Sequence, residues 1–147
     1  AIPKNKVYFK TMPYFEMYVN ETVFPINSGK PKELLALLAD KNGAAVTAGY
    51  AIACLWEDRP YDDKTHSLYR MTCKRLKEIL HNGGIDNIII TNGSQRYINT
   101  KLIDSDYIRL MNGDQKIAKA YGGEYMSEYS WAEDTNARIM NFLHFEY

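Results

Sequence analysis

A chain of 147 residues and 17.0 kDa has room for one ordinary domain, or for one small domain and a fragment of another. Its 46% hydrophobic and 24% charged residues exclude the disordered, collagenous and low-complexity classes. Lysine and arginine number 18, as do aspartate and glutamate, so the whole chain lacks the basic excess that a polyanion partner usually leaves. The longest apolar run, 51–56, falls far short of the roughly 18 to 20 residues of a bilayer span, and AIPKNK has no signal-peptide core, so neither membrane nor export is expected. Ala1, where a methionine would stand, reads as the start of an excised fragment. Cys54 and Cys73 are too few for a disulfide scaffold and have no ligand-like spacing with the three histidines. A reducing, cytoplasmic setting without metal or cofactor is expected.

The chain opens with VYFKTMPYFEMYVNETVFPI, aromatic and β-branched, broken at Pro13 and Asn20-Glu21, which predicts two or three short antiparallel strands. A first helix follows, with Leu34, Leu35, Leu37 and Leu38 as its apolar stripe, Ser28 as its cap and Gly43 at its end. Pro31 is tolerable because it falls in the first turn. A second, short helix runs from a Thr47 cap to Trp56, and a third from near Asp63 to Gly83-Gly84. DNIIITNGSQRYIN then reads as strand, turn and strand, a β-hairpin. From Leu102 onward the pattern predicts three helical pieces separated near Asn112-Gly113 and Gly122-Gly123.

The third helix is the informative one. Tyr69, Cys73, Leu76 and Leu80 form its buried stripe, and Lys64, Ser67, Met71, Lys74, Arg75 and Glu78 lie opposite. Between Lys64 and Leu80 five cations stand against Glu78 alone, whereas a helix needing only solubility typically mixes signs. Met71, near the centre of that face, has no core to join, but a thymine methyl on a major-groove floor would receive it. The hairpin that follows carries Arg96, with Lys101 just beyond, so phosphate contacts are available on both sides of one groove.

These residues resemble a family. KPKELLALLADKNGAAVT, Leu55-Trp56, SLYRMTCKRLKEIL and the hairpin are similar to the OmpR/PhoB-type winged-helix domain in the version found in the streptomyces antibiotic regulatory protein (SARP) group of bacterial transcription factors. The resemblance runs from about residue 6 to 99 and is carried by helix phasing and by Arg75-Leu76-Lys77. Asp104-Ser105-Asp106, Asn112-Gly113-Asp114 and GGEYMSEYSWAE resemble the opening of the helical bacterial transcriptional activation domain. What this implies is an α+β fold: a winged helix-turn-helix with an N-terminal antiparallel β-sheet and a C-terminal wing in residues 1–101, then a helical extension in 102–147. It further implies sequence-specific binding of double-stranded DNA with the third helix in the major groove. The chain would be the output portion of a response regulator in a two-component system, its receiver domain elsewhere. RNA polymerase and a second copy on DNA are the implied partners.

The positions matching Met71, Lys74 and Arg75 face the bases in that family, and those matching Arg70 and Lys77 lie nearer phosphates. Lys64 and Ser67, on the same face, and Arg96 on the wing complete the expected phosphate set. This sequence departs from its relatives at the wing tip, where Asn92-Gly93-Ser94-Gln95 and Arg96-Tyr97 replace an arginine beside glycines and a closing Gly-Tyr. Gly49 and Tyr50 likewise replace acidic or helix-favouring residues in the second helix.

His66, His81 and His144 have no cysteine, serine or carboxylate partner in a recognisable catalytic arrangement, and no enzyme is expected. Asp62-Asp63 and Glu133-Asp134 read as helix starts, where the dipole favours negative charge. Cys73 reads as a small core residue. Tyr125, Tyr129, Trp131, Ile139, Phe142 and Phe145 read as packing of the C-terminal helices, with a partner-binding surface as the alternative. The competing functional reading is a protein-interaction module that uses the winged helix and helical tail without specific DNA binding. Charge divides the chain: residues 1–101 hold 14 basic and 10 acidic side chains, and residues 102–147 hold 4 and 8. The neutral total conceals a basic reader joined to an acidic tail.

Overall fold

The computed structural model describes residues 5–144. In chain order its elements are β1 (Val7–Lys10), β2 (Glu16–Val19), β3 (Thr22–Val23), α1 (Gly29–Lys41), α2 (Ala48–Leu55), α3 (Asp63–Asn82), β4 (Ile89–Asn92), β5 (Gln95–Ile98), β6 (Ile103–Ser105), α4 (Asp106–Met111), α5 (Gln115–Ala120) and α6 (Glu133–Leu143). The fold is α+β, as the sequence implied. It forms two compact units: one combines the chain up to Pro25 with the chain from Ile103, the other is Ile26–Leu102.

In the first unit a sheet of order β3-β2-β1-β6 forms. Strand β1 alternates as its sequence requires, with Val7 and Phe9 buried and Tyr8 and Lys10 half-exposed. Antiparallel β2 and β3 are joined by Asn20 and Glu21, both left-handed at φ 53° and 70°, so the break read at these residues is a two-residue hairpin turn. The pattern beyond Leu102 missed one element. Before the three helical pieces comes β6, which pairs in parallel with β1, Phe9 opposite Ser105. A three-residue strand is too short to show a period.

At the end of β6, Ser105 caps α4 by accepting from the Ile108 amide at 2.9 Å. The next residue, Asp106, is buried, and its carboxylate accepts from the Thr11 amide at 2.9 and 3.0 Å, the Thr11 hydroxyl at 2.5 Å and the Met12 amide at 3.1 Å. Burial pushes its pKa up against the pull of these donors. The same stretch of chain anchors a second segment: Met126 donates to the Thr11 carbonyl at 2.7 Å, and Glu128 accepts from the Phe15 amide at 3.1 Å. Tyr125, Met126 and Ile139 are buried, Tyr129 stacks on Trp131 at 5.1 Å, and Phe142 is half-exposed. Phe145 lies outside the described residues. Glu133 and Asp134 open α6, as read.

The second unit holds three helices and a hairpin. Residues 34–38 of α1 are all fully buried, broader than the predicted stripe. Ser28 occupies the N-cap position, but its side chain makes no capping bond; Thr47, in contrast, accepts from the Tyr50 amide at 3.1 Å and caps α2. Helix α1 ends through left-handed Asn42 and Gly43. At Gly43, with φ 97°, a Cβ would lie 3.0 Å from the Thr100 methyl, so the turn requires glycine. Hairpin β4–β5 turns at Gly93, φ 62°, and β5 also pairs with Val46, whose amide and carbonyl bond Arg96 at 2.8 and 3.0 Å.

Asp106→Ala, which strands the Thr11 and Met12 amides in a buried site, is expected to destabilise the protein by about 2 to 3 kcal/mol, with Asp106→Asn intermediate. Urea unfolding followed by circular dichroism measures it; equal stability of all three proteins would contradict the role given to this carboxylate.

Candidate nucleic-acid interface

Helix α3 owes its length to its two ends. Asp62 accepts from the Thr65 amide at 3.0 Å while the Thr65 hydroxyl accepts from the Asp62 amide at 3.0 Å, a reciprocal cap. The Thr65 amide holds the Asp62 carboxyl below the ordinary aspartate range. At the other end Gly84, φ 69°, reverses the chain, and the Ile85 amide returns to the Leu80 carbonyl at 2.9 Å.

Thr65, Tyr69, Thr72, Leu76 and Leu80 face the core. Cys73, read as part of that stripe, is instead half-buried, and Thr72 takes the interior position with its hydroxyl donating to the Leu68 carbonyl at 2.8 Å. The cause is tertiary: the hairpin stands off α3 on the Cys73 side and leaves a cleft of about 610 Å³ there. Arg70, Cys73, Lys74 and Lys77 line it from the helix, Thr91 and Arg96 from the hairpin, and Asp86, the one acid of the lining, from the turn between them. Burial pushes the Cys73 thiol pKa up, away from the reactive thiolate.

Arg96 is held rather than free. Its guanidinium lies 5.6 Å from the Tyr69 ring and donates to the Tyr69 hydroxyl at 3.3 Å. Burial, the largest cause, raises the Tyr69 pKa to about 12. Among the cations of α3, Arg70 donates to the Ser67 hydroxyl at 3.0 Å, and Arg75 lies 3.6 Å from Glu78, with about half of each of these last two side chains exposed. At about 100° per residue, Ser67, Met71, Lys74 and Glu78 form the line farthest from the core. Arg70 and Lys77 flank that line on the cleft side, Lys64 and Arg75 on the other. Met71 is 68% exposed.

The structure therefore gathers Arg70, Lys74, Lys77 and Arg96 around one cleft and sets Lys64, Ser67, Met71 and Arg75 on the adjoining exposed face. Tyr69 entered the sequence reading only as a core residue, and Glu78 as a member of the exposed face and its lone acid. The first orients Arg96, and the second sits midway across the face. Among the described residues no three histidine, cysteine or acidic side chains are placed to hold a metal ion, and no helix is long and apolar enough to cross a membrane. Two histidines have local partners: the Tyr61 hydroxyl lies 2.7 Å from His66 Nε2, and His81 Nδ1 lies 3.4 Å from Asp86.

No protein-family model and no curated protein matches the chain. A solved structure does: Mycobacterium tuberculosis EmbR in complex with a low-affinity phosphopeptide, at TM-score 0.70 and 15% sequence identity over 96% of this chain. The likeness is one of fold, the winged helix with its N-terminal sheet. The chain covers 44% of the EmbR chain.

The raised Tyr69 pKa has a definite sign. Stability held by the neutral phenol is fully present below about pH 10, the unfolded value, and is lost as pH rises toward about 12. Tyr69→Phe is expected to flatten the alkaline fall in stability measured by urea unfolding; an unchanged alkaline limb would contradict the burial of this hydroxyl.

Proposed function

We propose that the chain is the DNA-binding portion of a bacterial transcriptional regulator, which binds double-stranded DNA sequence-specifically with α3 in the major groove. The observation that carries this is the convergence of Arg70, Lys74, Lys77 and Arg96 on one cleft beside an exposed helix face that bears Met71 and Arg75. Cations spaced along one helix face and across a hairpin match the path of a phosphodiester backbone, which passes through the cleft. With the backbone held there, Met71, Lys74 and Arg75 meet base edges: Arg75 offers its fork to guanine O6 and N7, and Met71 an apolar surface to a thymine methyl. Arg70, Lys77 and Arg96 neutralise phosphates beside the cleft, and Lys64 and Ser67 do so near the start of the helix. Support comes also from the fold shared with EmbR and from the sequence resemblance to SARP-group regulators.

In this reading residues 1–101 form the winged-helix domain and residues 102–147 a helical extension like the start of a transcriptional activation domain. The extension's acidic excess disfavours DNA and favours a protein partner, RNA polymerase being the one proposed. A second copy would occupy a half-site about one helical turn away. Response-regulator context and a cytoplasmic location belong to the same proposal.

Selection from random duplexes, followed by anisotropy titrations across salt, tests it. The expected slope of log affinity against log salt is about −0.9 per phosphate contact, and Lys77→Ala is expected to reduce its magnitude by about 0.9 while weakening all sequences alike. Arg75→Ala is expected to lose preference at one base pair, about 1 to 3 kcal/mol of discrimination. Absence of duplex binding at low salt would overturn the proposal in favour of a protein-interaction surface.

A further inference from the structure

Glu78 is out of place on a face that meets a polyanion. Beyond its first turn, α3 contains no other acidic residue, yet Glu78 lies on its outermost line with Ser67, Met71 and Lys74 and is half exposed. A carboxylate there faces repulsion from phosphates and, once water is displaced, needs a donor. Arg75 supplies only part of that need. At 3.6 Å the contact is an ion pair longer than a hydrogen bond, and it leaves carboxylate lone pairs open. It also leaves guanidinium donors free and holds the Arg75 head beside the carboxylate.

The floor of a major groove presents two kinds of exocyclic donor, the cytosine N4 and adenine N6 amino groups; guanine O6 and N7 and thymine O4 are acceptors that repel a carboxylate. Of the two donors, cytosine fits this pair better. Adenine places the N7 acceptor beside its amino group and so suits an amide, whereas a G·C pair offers O6 and N7 to a guanidinium and N4 to a carboxylate across the same floor. Building on the proposed major-groove placement of α3, we infer that Glu78 determines specificity by accepting from a cytosine amino group, within a G·C step whose guanine is read by Arg75. Glu78 thereby rejects sequences that place guanine or thymine acceptors at its position, and it lowers affinity for DNA at large.

The test is selection from random duplexes with the whole chain, in three forms: unaltered, Glu78→Ala and Glu78→Gln. Glu78 is half exposed, so both variants are expected to unfold at the same temperature as the parent. The parent motif is expected to contain a required cytosine. Glu78→Ala is expected to lose that requirement at one position, by about 5- to 150-fold in relative affinity, while binding unrelated duplex more tightly. Glu78→Gln is expected to shift the preference toward adenine. A Glu78→Ala protein that keeps the parent motif and tightens on all sequences equally would overturn the inference, leaving only a repelling charge. If the parent shows no salt-dependent duplex binding, the DNA-binding reading itself fails and this inference with it.

Discussion

Helix α3 can be buried in only one rotational setting. Thr65, Tyr69, Thr72, Leu76 and Leu80 enter the core of the Ile26–Leu102 unit, whose other large members include the fully buried leucines of α1. Turning the helix by one residue in one direction would bury Arg70 and Lys77; turning it in the other would bury Lys64 and Arg75. Each buried cation without a partner costs several kcal/mol, comparable with the whole net stability of a small domain. The apolar stripe is therefore sufficient to aim the cationic face outward, and every role proposed for a residue of α3 rests on that setting.

The ends of the helix and the hairpin turn this orientation into the proposed site. The Asp62–Thr65 cap and the Gly83-Gly84 exit define 20 helical residues, about 30 Å, more than enough to cross a major groove roughly 12 Å wide. The hairpin is fixed by its bridge to Val46 and by Arg96 lying on Tyr69, so the far wall of the cleft is held by backbone bonds and by a buried ring. Tyr69 works on both sides: its ring fills the core and its hydroxyl orients a cation at the edge of the cleft.

In the other unit a single carboxylate has a comparable place. Asp106 satisfies the amides that follow β1, at the point where β6 passes into α4. Two parts of the chain far apart in sequence are thereby joined by one buried acceptor group. The acidic excess counted from Leu102 onward includes this residue, so part of what reads as surface charge is internal structure.

Much of this was legible without coordinates. The strand breaks at Asn20-Glu21, the Thr47 cap, the start and exit of α3, the hairpin and the three later helices are local events, governed by backbone sterics, capping bonds and the 3.6-residue period. The cations of α3 were visible for the same reason, since periodicity alone assigns them a face. Other features depended on elements that come together only in the folded chain. Residues Ile103–Ser105 become a strand because β1 offers a free edge, and Cys73 leaves the core because the hairpin stands away from it. Arg96 is tied to Tyr69 across 27 residues of sequence. The sequence by itself determined which residues form each helix and which side of α3 is charged, because these follow from neighbours within one or two turns. Only the tertiary structure decided which cations share a cleft and that Asp86 lines it with them, because those distances are set by packing between elements that the chain separates.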